Sequence, residues 1–554
     1  MGMWTWRKIT GWAGGQNGPG YGYDSTVKMI QASVPHRWGR LLLTLCLATS
    51  VATAPVQAAP VPLKQLPDNS RLPTLGDPVR EDLSPIIERK LGEEIMRDIR
   101  RDRDFLDDDP ILDYLNSFGA GLVNSVPNAR GETNADFYFF AVRDPMLNAF
   151  ALPGGFIAVH SALLIAAQTE SELASVLSHE IGHVSQRHIA RMLGQQKQDV
   201  LLPLAALILA ALASKLGSDA AIGVLMGGQG LAVQRQLSFT RDAEREADRV
   251  GFEIMGAAGY DTSGMVAFFK RLQTASRSYT ELPAFLSSHP LTGERIADIQ
   301  ARIREMPYRQ RVDSLEFFLV RSRARVLQDE TAQGRLDART AFETQLTMQS
   351  RQQQAAGQYG MAFLSLKQGD VTKARSWLDK ARTTMKPREG PVFSTGQSTS
   401  DGGAMFAGLA LEIDLAPGQS AAIVQQTVKD ADAAHQRYPL SRSIARQYAD
   451  ALIAAGKLDE AAVFLREQVQ QYREEPKLYD QLARTYAAQG KIALQHMALA
   501  ESYVLTGAVP AAVDQLNFAR KAKDVSFYDQ AVIDAREREL QARQKEEKKE
   551  KKEN

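Results

Sequence analysis

Ser178-His179-Glu180-Ile181-Gly182-His183 is the stretch on which the reading of this chain turns. It fits the pattern H-E-x-x-H and lies inside Thr169–Leu193, a run with the periodicity of one helix. Thr169 and Glu172 form a capping box at its start, and Leu173, Val176, Leu177, Ile181 and Val184 recur as a core-facing stripe. Helical side chains four apart stand almost one above the other, so His179 and His183 can offer two imidazole nitrogens to one cation. Glu180 is offset by about a quarter turn, which suits a carboxylate that touches a water rather than the metal. The plain alternative is two ordinary histidines on a packed helix face.

A catalytic zinc keeps three protein ligands and one open position. Thr240–Asp248 reads as a second helix, with Glu244 and Asp248 on one face and Ala243 and Ala247 permitting close approach of another helix. Glu244 is the third-ligand candidate, and Asp248 suits an acceptor of a hydrogen bond from a ligand histidine. Glu246 lies roughly 200° round from Glu244 and is expected to face solvent. His188 is expected on the helix face opposite His179, structural or exposed, and His160 ends a strand without an argued role. Taken alone, the acidic cluster reads better as a solvated helix face.

The H-E-x-x-H block, Glu244-x-x-Ala247-Asp248 and the upstream Asn148-Ala149-Phe150-Ala151-Leu152-Pro153-Gly154-Gly155 together resemble the M48 family of zinc metallopeptidases. The resemblance is specific over about Leu83–Met306. It implies one zinc per chain at His179, His183 and Glu244, with Glu180 as catalytic base and Asp248 as a supporting acid. Ser288-His289-Pro290 with Arg295 fits the same resemblance. His289 is then expected either to stabilise the oxyanion or to take the fourth zinc position and close the site. Loop packing is the plain reading of that histidine.

Around this core the chain divides by composition. Its 554 residues suffice for two to four domains, and a net charge of +1 gives no reason to expect nucleic acid as a partner. Met29–Ala58 resembles a secretory signal: His36, Arg37 and Arg40 precede apolar Leu41–Val51 and a small-residue site, Val56-Gln57-Ala58. Whether translation starts at Met1 or Met29 stays open. Cys46, the only cysteine, falls within that signal. Pro60–Pro85 reads as a linker, Ile86–Leu106 and Ile111–Val126 as helices, and Asp107-Asp108-Asp109 as the cap of the second. Asp136–Arg143, Asn148–Leu152 and Phe156–His160 read as a small sheet. Its edge either receives an extended peptide or is scaffold. The apolar stretch 200–232 contains Pro203 and is short for a membrane span. It reads as a buried hairpin, a lid or a peripheral membrane contact.

Past Pro307 the pattern changes to helical hairpins. Gly369 with Ala374, Gly456 with Ala461 and Gly507 with Ala512 repeat one spacing, and Gly490 follows Gly456 by 34 residues, a period resembling tetratricopeptide repeats. Pro387–Ala404 reads as an interrupting loop. The expected fold is mainly α. An extension and signal (1–58) and a linker (59–82) lead into a zinc metallopeptidase domain with a small β-sheet (83–306). A tetratricopeptide-like α-solenoid (307–540) and a charged disordered tail (541–554) follow. By resemblance, the chain is expected to be a periplasmic zinc endopeptidase in outer-membrane protein assembly and quality control. Its partners would be unfolded or stalled outer-membrane proteins and the barrel-assembly machinery. The alternative from another class is a chaperone or scaffold in which the repeats act and the zinc is regulatory.

Overall fold

The computed structural model describes residues 84–194, 241–278, 284–306, 309, 311–386 and 402–553, all within one compact unit. The expected signal, the linker 59–82, the insert 200–232 and most of the loop 387–404 lie outside these residues. Among the described residues, no helix is long and apolar enough to cross a membrane.

Helix α1 (Pro85–Ile99) begins at a proline in its first turn, with the Ser84 hydroxyl accepting from Ile87 N. It stops at Ile99, short of the expected Leu106, because the chain there crosses to a sheet edge. Phe105 bridges to Val142, and Leu106 N donates to Ala141 O. Asp108 caps α2 (Asp109–Val123) by accepting from Ile111 N at 3.2 Å.

The sheet has three strands, β1 (Tyr138–Val142), β2 (Ala149–Leu152) and β3 (Phe156–His160), in the order β1-β3-β2. β1 runs parallel to β3 with Tyr138 opposite Phe156, and β2 antiparallel to β3 with Ala151 opposite Ile157. The turn between β2 and β3 needs glycine. Gly155 sits at φ 89°, and a Cβ there would lie 2.1 Å from the Asp136 carbonyl oxygen. The outer side of β1 is covered, since Asn116 bonds both the N–H and the C=O of Phe139. β2 forms the other edge.

Helices α3 (Ser161–Ala166), α4 (Glu170–Ser185), α5 (His188–Gly194), α6 (Arg241–Ala257), α7 (Ser263–Ser278), α8 (Ala284–Ser288) and α9 (Gly293–Glu305) complete this half. Every residue of α4 is buried, so the stripe expected from periodicity is only part of its packed surface. The single helix expected over Thr169–Leu193 breaks at Gln186-Arg187.

From α10 (Leu315–Gln328) to the last helix (Phe527–Glu553), successive helices pack on one another as a solenoid. Gly369, Gly456, Gly490 and Gly507 each follow a helix end at φ 73–78°, the left-handed stop that glycine permits. Ala374, Ala461 and Ala512, five residues after three of them, are fully buried. The tail expected to be disordered instead continues the last helix to Glu553. Its Glu, Lys, Arg and Gln residues are strong helix formers, and buried Ile533 and Leu540 anchor the turns before it.

The solenoid docks on the first half through the acidic triplet. Asp108 also receives Arg323, whose guanidinium reaches Glu412 and the Tyr359 hydroxyl. Asp109 pairs with Arg446 at 2.6 Å, and Asp113 accepts from Ser441 Oγ and Ser443 N. Asp107 pairs with Lys477.

Candidate metal centre

α4 and α6 cross closely at two glycines. A Cβ on Gly182 would lie 2.9 Å from Ala247 O, and one on Gly251 would lie 2.8 Å from His179 N. The Ala247 expectation thus has glycine counterparts on both helices. The start of α4 is held by Thr169 Oγ1, which accepts from Glu172 N, while Glu172 Oε2 accepts from Gln168 N at 2.9 Å. The reciprocal arm of the box reaches one residue before the cap. Arg271 pairs with the same Glu172.

This crossing brings the donor atoms together. His179, His183, Glu244 and His289 each offer one ligand atom, all within 4.8 Å of one another, and all four residues are buried. His179 Nε2 and His183 Nε2 are 3.0 Å apart, and the Glu244 carboxylate lies 3.5 Å from each. His289, on the loop after α8, puts Nδ1 2.9 Å from Glu244 Oε1 and 3.4 Å from His179 Nε2. Two imidazole nitrogens bound tetrahedrally to zinc stand about 3.3 Å apart, so the spacing suits that ion. The donor set, nitrogen and carboxylate oxygen without sulfur, suits it as well.

The second contact of each group fixes its orientation. His179 Nδ1 lies 3.0 Å from Asp248 Oδ1, and Arg295 clamps Asp248 through Nε at 2.6 Å and Nη2 at 2.7 Å. Arg295 Nη1 also pairs with Glu244 Oε2 at 2.7 Å. Burial would lower the His179 pKa, but Asp248 and Glu244 raise it to about 10. Burial opposes ionisation of Glu244, yet His289 and the other two histidines hold it far below the usual carboxylate range. His183 is pushed below the ordinary histidine value, by burial first.

Glu180 stands beside these donors on the same helix. Its Oε2 accepts from Ala151 N of β2 at 3.0 Å. Its Oε1 is buried and accepts no hydrogen bond among the described residues, with His289 Nε2 3.5 Å away. Burial raises its pKa above the ordinary glutamate value. The outer side of β2 therefore faces Glu180 at Ala151.

Two expectations are corrected here. His188 does not lie opposite His179. It is buried, with Nδ1 2.9 Å from His183 Nδ1 and Nε2 3.1 Å from Glu246 Oε2. Glu246, expected in solvent, is half-buried and also receives Arg191 at 3.2 Å. The cause is Arg187 at φ 54°, a left-handed conformation that costs a non-glycine residue of order 1–3 kcal/mol. It ends α4 and starts α5 in a new direction. Gln186 and Arg187 are ordinary helix formers, so nothing local marks the break. The buried pair of Arg187 with Glu88 of α1, at 3.2 Å, holds it. His160, which had no argued role, is buried with Nδ1 3.1 Å from Met146 O.

Residues 122–303 match Peptidase family M48. The chain is 29% identical over 469 residues to the beta-barrel assembly-enhancing protease of Escherichia coli (strain K12), covering 84% of this chain and 90% of the relative. A relative of that name in Yersinia pestis is 28% identical over 504 residues, covering 89% and 96%. A putative beta-barrel assembly-enhancing protease of Vibrio cholerae is 36% identical over 287 residues, covering 51% and 56%. These matches and the buried His/Glu cluster together support a metallopeptidase.

Proposed function

From an M48 peptidase domain in a chain homologous to beta-barrel assembly-enhancing proteases, we propose that this protein is a periplasmic zinc endopeptidase acting on outer-membrane proteins during their assembly. The observation that carries the reading is the convergence of His179, His183 and Glu244, with the buried Glu180 carboxylate beside them. His179, His183 and Glu244 hold the zinc, and Asp248 and Arg295 hold His179 and Glu244 in place. Zinc bound there supplies Lewis acidity, acidifying a water and polarising a peptide carbonyl.

The remaining work falls to the chain's own groups. Glu180 takes the proton of the attacking water on Oε1 and delivers it to the leaving amine. Its raised pKa suits the second half of that task, in which it gives the proton up as an acid. The outer edge of β2 receives the substrate as an added strand, which fixes the scissile bond next to Glu180. His289 would supply a fourth donor to a bound zinc and so close the resting site. Its burial among the other three donors favours this over an oxyanion contact. The solenoid engages the unfolded barrel protein or its assembly machinery, a reading that the relatives' name, beta-barrel assembly-enhancing protease, supports.

The purified chain tests this directly with an unfolded outer-membrane barrel protein as substrate. Cleavage is expected, lost on chelation, restored by zinc and absent in Glu180→Gln. Cleavage that survives both chelation and Glu180→Gln refutes the reading. In cells, full rescue of envelope defects by the Gln variant would make proteolysis secondary to the repeats.

A further inference from the structure

The contact between His183 and His188 has a chemical consequence. On His183 the two ring nitrogens have separate tasks. Nε2 faces His179 and Glu244, while Nδ1 faces His188 Nδ1 at 2.9 Å. A neutral imidazole carries one N–H and one lone pair. If Nε2 keeps its lone pair for a metal, Nδ1 must carry the hydrogen and donate it to His188 Nδ1. His188 must then accept at Nδ1 and carry its own hydrogen on Nε2. That nitrogen lies 3.1 Å from Glu246 Oε2, a carboxylate with no hydrogen to donate. With both rings neutral, one proton arrangement satisfies these three contacts, and it is the one that leaves His183 Nε2 open.

The backbone is bent for this purpose. Continued through residue 188 without a break, α4 would carry His188 away from His183. Arg187 at φ 54° redirects the chain, and its guanidinium is buried against Glu88 of α1. Glu246 in turn sits on α6, two residues beyond the candidate ligand Glu244, and is steadied by Arg191.

We propose that His188 and Glu246 are positioning residues for His183, a relay that holds its Nδ1–H and so aims its Nε2 lone pair into the metal centre. The relay is the counterpart, for the second histidine, of the Asp248–Arg295 support behind His179. This inference rests on the zinc reading given above. Partners of this kind change metal affinity by about 10- to 100-fold when removed.

The test uses the full chain and zinc alone, titrated against a chelating dye, with the visible spectrum of the cobalt-substituted protein as a second readout. His188→Phe keeps an aromatic ring and removes both nitrogens. Its zinc affinity is expected to fall about 10- to 100-fold, with an altered cobalt spectrum and an unchanged unfolding midpoint of the metal-free protein. Glu246→Gln keeps an acceptor oxygen and is expected to fall between wild type and Glu246→Ala. Combining Glu246→Ala with His188→Phe is expected to cost no more than His188→Phe alone, because both act through one contact. A purely packing role would lower the metal-free midpoint and leave the Glu246 series flat. Zinc affinity in folded His188→Phe within about twofold of wild type, below the range such partners give, overturns the relay, as does simple additivity of the two changes. If wild type itself binds no zinc, the metal reading falls and the relay with it. Wild-type binding with a silent His188→Phe removes the relay alone.

Discussion

Gly251→Ala probes the crossing on which the metal centre is built. The face of α6 that carries Glu244 and Asp248 continues to Gly251, which lies against the backbone of Ser178 and His179. An added Cβ would be 2.8 Å from His179 N and 2.9 Å from Ser178 C. Ordinary contact begins near 3.4 Å, so α4 and α6 must part locally by about 0.6 Å. Neither atom belongs to a side chain that can rotate away. Overpacking of this sort costs about 1–3 kcal/mol, with backbone overlap at the upper end. Replacing a helical glycine by alanine returns about 1 kcal/mol, leaving a net loss of about 2 kcal/mol. The same displacement moves Glu244 relative to the histidine pair by more than the roughly 0.2 Å that a metal site tolerates. Zinc affinity should therefore fall at least about tenfold. Gly121→Ala on α2 is the control, because nothing lies within 4 Å of its Cβ and it should gain up to about 1 kcal/mol. Urea unfolding of the metal-free protein and zinc competition are the assays. Equal stability of the two variants, or wild-type zinc affinity in Gly251→Ala, would refute the close-crossing argument.

Glu180→Gln should lower peptide hydrolysis by about 10²- to 10⁴-fold at unchanged zinc content, measured by cleavage assay and metal analysis. His289→Ala should raise cleavage if its ring closes the resting site, and unaltered cleavage would remove it from the mechanism. Arg323→Ala leaves Asp108 and Glu412 without their buried cation and should cost about 3–5 kcal/mol in urea unfolding. Burial lifts Asp113, in the seam between the two halves, to about 6. Between about pH 4 and 6 the folded chain keeps this proton while the unfolded chain has lost it. Stability should therefore fall as pH rises through that window, by up to about 3 kcal/mol. Asp113→Asn should remove that part of the slope, and parallel pH profiles for the two proteins would contradict the assignment.

Periodicity made much of the centre's geometry legible. The spacings of His179 with His183 and of Glu244 with Asp248 each place two side chains on one face. Ala247 marked where two helices approach closely. Those cues are local, and the elements that carry them are regular. What escaped the sequence depends on distant partners. The break at Arg187 is held by Glu88, which lies 99 residues earlier, so neither His188 nor Glu246 could be placed from its own neighbourhood. The acidic triplet reads locally as a cap, and Asp108 is one. Its pairing with Arg323, 215 residues on, belongs to the packing of the solenoid on α2. The composition of the charged tail suits both a disordered segment and a helix, and in the structure the tail continues the last helix, whose earlier turns are anchored by buried Ile533 and Leu540.

Zinc K-edge absorption on the full chain, with metal content measured alongside, tests the central claim most directly. One zinc per chain is expected, bound by nitrogen and oxygen at about 2.0–2.2 Å without sulfur, and lost or reduced in coordination in Glu244→Ala. A chain that takes up no stoichiometric zinc, or one whose zinc shell is unaltered by Glu244→Ala, would contradict the account.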